Sequence, residues 1–313
     1  MGELIVGVDD SQGARQAVAW AAREAVVRAD ALTLVNALDD AEAVTGAAIT
    51  GAARLRLQQA RTARAEALLD DLARGLPGGI PAVHREVLLG SAASVLLTRA
   101  AGQSGLIVGR RGRGGFSGLL LGSVSQQVAV HATCPVIVVP QERDREPDGT
   151  VVVGVDGSQH AQRALLRAAE EAALRAAHLD VIVVSPLLPA PLVEEVPLDA
   201  DGDGVWAGTP GLAGLELSRR LRTEHARAAG EWQAEVGRAV EEDLRRLPGT
   251  TDFKVHLVAG THPAEALIAA AAAADLLVVG RRGYGGFSGM LVGSVSQQCV
   301  RHAQVPVLVV PPA

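Results

Sequence analysis

The chain has 313 residues, 29 Lys and Arg against 35 Asp and Glu, and a formal net charge of −6, with no basic stripe to meet nucleic acid or an anionic membrane. Aromatic residues make up only 2%, which argues against base-stacking surfaces, so the cores must be built from Val, Leu, Ile and Ala. No run of about 20 uncharged apolar residues occurs, and Asp9 and Asp10 break the first apolar stretch, so neither a membrane span nor a leader is expected.

The predicted elements alternate. LIVGVD (4–9) is a buried strand ended by acid, and Ser11 is a suitable N-cap for an Ala-rich helix to about Arg28. LTLVNA (32–37) is the second strand, a polar amphipathic helix covers about 54–74, and AVHREVL (82–88) is the third strand. A helix follows Gly90, GLIVG (105–109) is the fourth strand, a Gly-rich loop leads to a helix over about Ser123–His131, and PVIVV (135–139) is the fifth strand. This rhythm predicts an α/β fold with a parallel, doubly wound sheet and helices on both faces. A ligand is expected beyond the C-terminal strand ends, beside the first strand.

The pattern then occurs again. Residues 109–140 and 280–311 are identical at 23 of 32 positions, and LIVGVDDSQGARQAVAWA (4–21) pairs with VVVGVDGSQHAQRALLRA (151–168). The chain therefore divides into a first domain, 1–140, a charged linker QERDREPDG, 141–149, and a second domain, 150–313. The second copy carries a net 24 extra residues, and the Gly-, Pro- and acid-rich stretch 186–214 is the expected inserted loop. Cys134 and Cys299 occupy different repeat positions and form no motif, as in a reduced cytoplasmic protein.

The chemistry concentrates in the repeated loop. Its glycines are Gly109, Gly112 and Gly122 followed by Ser123 in copy one, and Gly280, Gly283 and Gly293 followed by Ser294 in copy two. Glycine allows positive φ and close backbone approach, and the closing Gly-Ser offers N–H groups and a hydroxyl at a helix N-terminus, where a phosphate is favoured. Ser125 and Ser296, in the first turn, are placed to add hydroxyls. A Walker A site is excluded, because the only lysine is Lys254, and the dinucleotide fingerprint fails at Ser117.

The G-x2-G-x9-G-S loop and the GVDGS segment resemble the signatures of the universal stress protein family, in its tandem, ATP-binding type common in actinobacteria. The resemblance covers nearly the whole chain. It implies two tandem five-stranded sheets of order 3-2-1-4-5, and ATP, with Mg2+ but no dedicated metal cage. In that order the apolar fifth strands PVIVV (135–139) and PVLVV (306–310) are bare sheet edges, and the two halves are expected to pair antiparallel through them about a local twofold. It places Gly7, Val8 and Asp9, and Gly154, Val155 and Asp156, along the adenosine, with the aspartates near the ribose. Ala37 and Val184 match the backbone contact to adenine, and Val108 and Val279 flank the pocket. Gly109, Gly112, Gly122, Ser123, Val124 and Ser125 would hold the triphosphate in copy one, as would Gly280, Gly283, Gly293, Ser294, Val295 and Ser296 in copy two.

Several residues keep two readings. Asp9 and Asp156 suit a ribose contact or a turn. Asp10, where copy two has Gly157, either weakens anion binding or caps the helix. Arg113, where copy two has Tyr284, is a second difference between the sites. Arg110–Arg111 and Arg281–Arg282 suit phosphates or solvent. His131 and His302 end a helix, where its dipole favours them without any catalytic role. No nucleophile–base pair, carboxylate pair or metal cluster recurs. The expected function is an ATP-binding stress-response regulator whose nucleotide state sets conformation or partner binding. A slow ATP hydrolase or a nucleotidyl-transferring enzyme is the alternative. The expected partners are ATP, a second copy of the chain and an unidentified protein.

Overall fold

A computed structural model describes residues 2–39, 51–112, 121–141, 146–186, 211–247, 252–260, 262–283 and 293–312. In the first half, β1 (Glu3–Gly7), α1 (Gln12–Arg28), β2 (Ala31–Leu38), α2 (Gly51–Arg74), β3 (Val83–Leu89), α3 (Ala92–Ala100), β4 (Gly105–Gly109), α4 (Ser123–His131) and β5 (Val136–Val139) follow in turn. The second half repeats them as β6 (Thr150–Val155), α5 (Gln159–Arg175), β7 (His178–Pro186), α6 (Gly211–Arg246), β8 (Phe253–Gly260), α7 (Pro263–Ala270), β9 (Leu276–Gly280), α8 (Ser294–His302) and β10 (Val307–Val310).

Local chemistry explains the boundaries. Ser11 and its repeat Ser158 cap α1 and α5, their hydroxyls accepting from the N–H of Ala14 at 3.1 Å and of Ala161 at 3.2 Å. Both helices end on an alanine in the left-handed region, Ala29 at φ 53° and Ala176 at φ 51°. The inserted stretch differs from expectation at its ends. β7 runs through Pro186 and α6 begins at Gly211, while 187–210 lie outside the described residues. The Leu, Glu and Arg that follow Gly211 outweigh the two glycines as helix formers. With 36 residues against 24 in α2, α6 takes up a good part of the excess.

Each half has the expected strand order, and the two halves join, as expected, through their fifth strands. They form one sheet of ten strands, in the order β3-β2-β1-β4-β5-β10-β9-β6-β7-β8. All pairings are parallel except the seam, where β5 and β10 run antiparallel with Ile137 opposite Leu308. The physical reason is that each fifth strand is a wholly apolar sheet edge, which needs cover. Joining two such edges about a local twofold covers both.

Alternate strand residues feed two layers. Val6, Val153 and Leu308 face α1, α2, α5 and α6, while Ile5, Val152 and Val138 face α3, α4, α7 and α8. Both layers run unbroken from one half into the other. Cys134 and Cys299 are free buried thiols within the second layer, and burial pushes Cys299 up to about 12.

On the first face a buried charge cluster crosses the seam. Glu24 and Arg28 of α1 correspond by repeat to Glu171 and Arg175 of α5. Each glutamate meets the arginine one turn on and the arginine of the other helix: Arg175 reaches Glu24 at 2.6 Å, and Arg28 is hydrogen-bonded to Glu171. Arg167 adds a contact to Glu171 at 2.9 Å. Atoms such as Glu171 Oε1 and Arg175 Nη2 lie at ion-pair distance without hydrogen-bond alignment. Glu171 is only 1% exposed. Burial alone would raise its pKa, but Arg28, then Arg175 and Arg167, hold it below the ordinary 4.5.

Two predictions follow from this seam. Val138→Asp, which puts a carboxylate at a site 1% exposed, should lower stability by more than about 4 kcal/mol, and small-angle scattering should show an expanded chain. A compact variant of native stability would refute the seam. Glu171→Gln leaves Arg28, Arg167 and Arg175 without their shared anion and should cost about 3–5 kcal/mol in urea unfolding at neutral pH. A lowered folded pKa stabilises above the ordinary carboxylate value and is lost as pH falls through the folded one. The difference between wild type and variant should therefore shrink on acidification; a pH-independent difference would show that ionised Glu171 is not the source.

Candidate functional site

The C-terminal ends of β1, β2 and β4 lie together at one end of the first half, and those of β6, β7 and β9 repeat this in the second. Gly7, Val8 and Asp9 leave β1, Ala37 lies near the end of β2, Val108 and Gly109 end β4, and Gly122 to Ser125 open α4. Gly154, Val155, Asp156, Val184, Val279, Gly280, Gly283 and Gly293 to Ser296 are placed alike in the second half. Residues 113–120 and 284–292 lie outside the described residues, among them Arg113, Ser117 and Tyr284.

Three close approaches explain most of the glycines. A methyl group on Gly112 would lie 2.5 Å from Asp9 Oδ2, and one on Gly283 would lie 2.4 Å from Asp156 Oδ2. At Gly109 it would meet the backbone of Gly13 at 2.6 Å, and at Gly280 the carbonyl of His160 at 2.9 Å. Gly7 and Gly154 face Leu96 and Leu267, each 2.7 Å from a would-be methyl. None of the six loop glycines has positive φ. Of the two reasons for glycine read from the sequence, close approach holds at Gly109, Gly112, Gly280 and Gly283, and left-handed backbone at none of the six.

Gly122 and Gly293 are different. A methyl at Gly293 would make only ordinary contacts, the nearest at 3.5 Å, and at Gly122 the nearest is 3.3 Å. Both are N-caps in extended conformation, φ −76° and −68°. Among the described residues, packing leaves room for a methyl at Gly293, whereas at Gly122 the backbone carbonyl of Arg110 would have to give.

At the helix starts the structure corrects two expectations. The Gly122 N–H is not free: it donates to the Arg110 carbonyl at 2.9 Å, as Gly293 does to that of Arg281 at 2.9 Å. The Ser125 and Ser296 hydroxyls are buried and donate inward, Ser125 to the Arg110 carbonyl at 2.9 Å and Ser296 to the Gly280 carbonyl at 2.6 Å. They fasten the loop to the helix. The outward groups are the exposed Ser123 and Ser294 and the N–H groups of the first turn, which helix geometry leaves without an intrahelical acceptor. Val8, Val108, Val155, Val184 and Val279 bury their side chains in the core, so only their backbones face the site. Val124 and Val295 pack partly buried against the second layer.

Asp9 and Asp156 hold the turns that follow β1 and β6. Each has one carboxylate oxygen engaged in the turn, accepting from the N–H of Ser11 at 3.1 Å and of Ser158 at 3.0 Å, while the other lies beside the loop glycine. Asp10 neither caps α1 nor stands unpaired: Arg64 of α2 reaches it at 3.1 Å and Arg15 at 3.5 Å. Its counterpart Gly157 takes φ +77° with Val236 and Trp232 of α6 nearest to it. The two mouths therefore differ, one edged by an ion pair and the other by apolar side chains.

Arg110 and Arg281 fit neither expectation. The Arg110 guanidinium crosses the seam and donates to the Ala303 carbonyl at 2.7 Å, and Arg281 donates to that of Ala132 at 2.7 Å. Burial, then Arg282, lowers the Arg281 pKa. Sequence inspection missed these arginines as seam residues; their only signal was recurrence at the same repeat position. His131 and His302 are the last residues of α4 and α8, as expected. Among the described residues no group of three or more His, Cys, Asp or Glu is arranged to hold a metal ion.

A duplicated, doubly wound α/β protein with paired Gly-rich loops at helix starts is thereby defined. The chain belongs to the universal stress protein family, whose model matches residues 1–140 and again 149–311. Universal stress protein Rv2623 of Mycobacterium tuberculosis is 34% identical over 314 residues, covering 98% of this chain and 95% of that protein. Universal stress protein Rv1996 of the same organism is 31% identical over 331 residues, covering 98% and 94%. The crystal structure of a universal stress protein from Archaeoglobus fulgidus has the same fold, with TM-score 0.67 at 20% identity, over 99% of this chain and 98% of that one. No helix among the described residues is long and apolar enough to cross a membrane.

The glycines separate by experiment. Gly293→Ala should cost no more than about 1 kcal/mol, the scale of an N-cap change. Gly283→Ala drives a methyl into Asp156, whose other oxygen holds the turn before α5, and should cost more. Equal melting temperatures for the two variants would refute this division of roles.

Proposed function

We propose that the chain is an ATP-binding regulatory protein of the stress response, with one nucleotide site in each half. The observation that carries this is the twofold recurrence of one construction. In each half a loop glycine lies against the strand-end aspartate, and the loop ends at a helix start with an extended N-cap glycine followed by an exposed serine. The helix N-terminus supplies partial positive charge and outward N–H groups for phosphate. The aspartate oxygen beside Gly112 or Gly283 sits at the strand end, where a ribose hydroxyl would find an acceptor.

Mg2+ would arrive with the triphosphate, neutralising it and keeping several waters. The role of ATP is to bias conformation or partner choice by binding, and it is read by a second copy of the chain or another protein. Asp9 and Asp156 are committed to their turns, which favours binding over turnover.

Calorimetry with Mg-ATP should approach about two ATP per chain, and nucleotide recovered from the complex should be intact. Gly122→Val and Gly293→Val should each remove one site and leave the other. Wild-type binding in both variants would refute the loop assignment, and steady turnover well above that of the double variant would favour the hydrolase.

A further inference from the structure

Arg110 and Arg281 connect more than two halves of a sheet. Arg110 stands directly after β4, and its carbonyl accepts from the Gly122 N–H and the Ser125 hydroxyl, both at 2.9 Å. Its backbone is thus tied to the start of α4. Its guanidinium lies at the far end of α8, donating to the carbonyls of Ala303 at 2.7 Å and Arg301 at 3.4 Å. Arg281 mirrors it. Its carbonyl accepts from the Gly293 N–H at 2.9 Å, and its guanidinium reaches the Ala132 carbonyl at the end of α4 at 2.7 Å. A cation at a helix C-terminus satisfies orphan carbonyls and favours the negative end of the dipole. Each helix has nine residues, too short to bend, so its two ends move together.

We infer that Arg110 and Arg281 are positioning residues that couple the two loops: each arginine, anchored in its own loop, holds the phosphate-facing helix of the other half. This rests on the nucleotide reading above. The chain of contacts is reciprocal and closed. The start of α4 is bonded to Arg110, Arg110 caps α8, the start of α8 is bonded to Arg281, and Arg281 caps α4. An anion that draws in the start of one helix shifts that helix's far end, the arginine held there, and so the other loop. Thermodynamic reciprocity then requires equal effects in both directions.

The test exploits the crossing. Arg281→Gln is made in the Gly293→Val background, so that only the first site binds Mg-ATP, and Arg110→Gln in the Gly122→Val background reads the second. A C-terminal cation is worth enough to weaken binding at the opposite site roughly two- to five-fold. The own-site backgrounds, Arg281→Gln with Gly122→Val and Arg110→Gln with Gly293→Val, should be affected less. Arg281→Lys keeps the charge and should restore part of the loss, and it serves if the Gln variant folds poorly. An equal loss at both sites, a loss confined to the arginine's own site, or no loss overturns the inference. Hydrogen exchange without nucleotide separates this from failure of the ATP reading. Arg281→Gln should speed exchange in α4 more than in α8 even if the chain binds no ATP, and unchanged α4 protection sinks the positioning role by itself.

Discussion

The pairing of β5 with β10 is the constraint on which the rest of the molecule depends. Three residue pairs form it, yet they turn two edges into the middle of a ten-stranded sheet. Because side chains alternate across a strand, a slip of one residue would turn Val136, Val138, Val307 and Val309 from one layer to the other. The register is therefore held by both cores at once. It brings α1 beside α5, and it brings the loop after each fourth strand to the last helix of the other half.

That arrangement explains why charge is buried on one side of the seam. Desolvating Glu24, Arg28, Glu171 and Arg175 is expensive, and apolar residues of similar volume often give equal or greater stability. The cluster makes sense as a device for specificity. Its four members satisfy one another only when the helices meet in this register, and any other arrangement strands a carboxylate in the core. On the opposite side the arginine caps act similarly, because each carbonyl they reach belongs to the other half. Two electrostatic locks of different construction thus flank a seam whose own hydrogen bonds are indifferent to sequence.

Much of this was legible beforehand. Ser11, the alternation of apolar strands with helices, and the repeat itself led to the element order and to the strand order within each half. What escaped did so for physical reasons. Glu24 with Arg28, four residues apart, reads as an ordinary exposed helix pair, and nothing local shows that a second helix covers it. Arg110 lies in a loop of glycine and arginine whose natural reading is anion binding, and its true acceptors are carbonyls 191 and 193 residues away. The conformational freedom of glycine suggested left-handed turns, whereas the requirement at Gly112 and Gly283 is steric and comes from an aspartate distant in sequence. Ser125 and Ser296 looked like ligand hydroxyls because the first turn of a helix has two sides, and sequence does not say which one faces the core.

The distinction among the glycines bears most directly on what the loops are for. A glycine whose added methyl would strike the fold says nothing about a ligand, since structure alone retains it. Gly7, Gly109, Gly112 and their repeats are of that kind. At Gly293 the described residues would admit a methyl, at Gly122 the Arg110 carbonyl would have to shift, yet both halves keep glycine there although serine or aspartate would cap the helix at least as well. Beside Asp10 and its counterpart Gly157, in the turns before α1 and α5, the halves differ, with an Arg64–Asp10 ion pair in one and Trp232 in the other. The two helix starts are thus built alike while the turns beside them are not, and the crossed arginines tie each loop to the last helix of the other half.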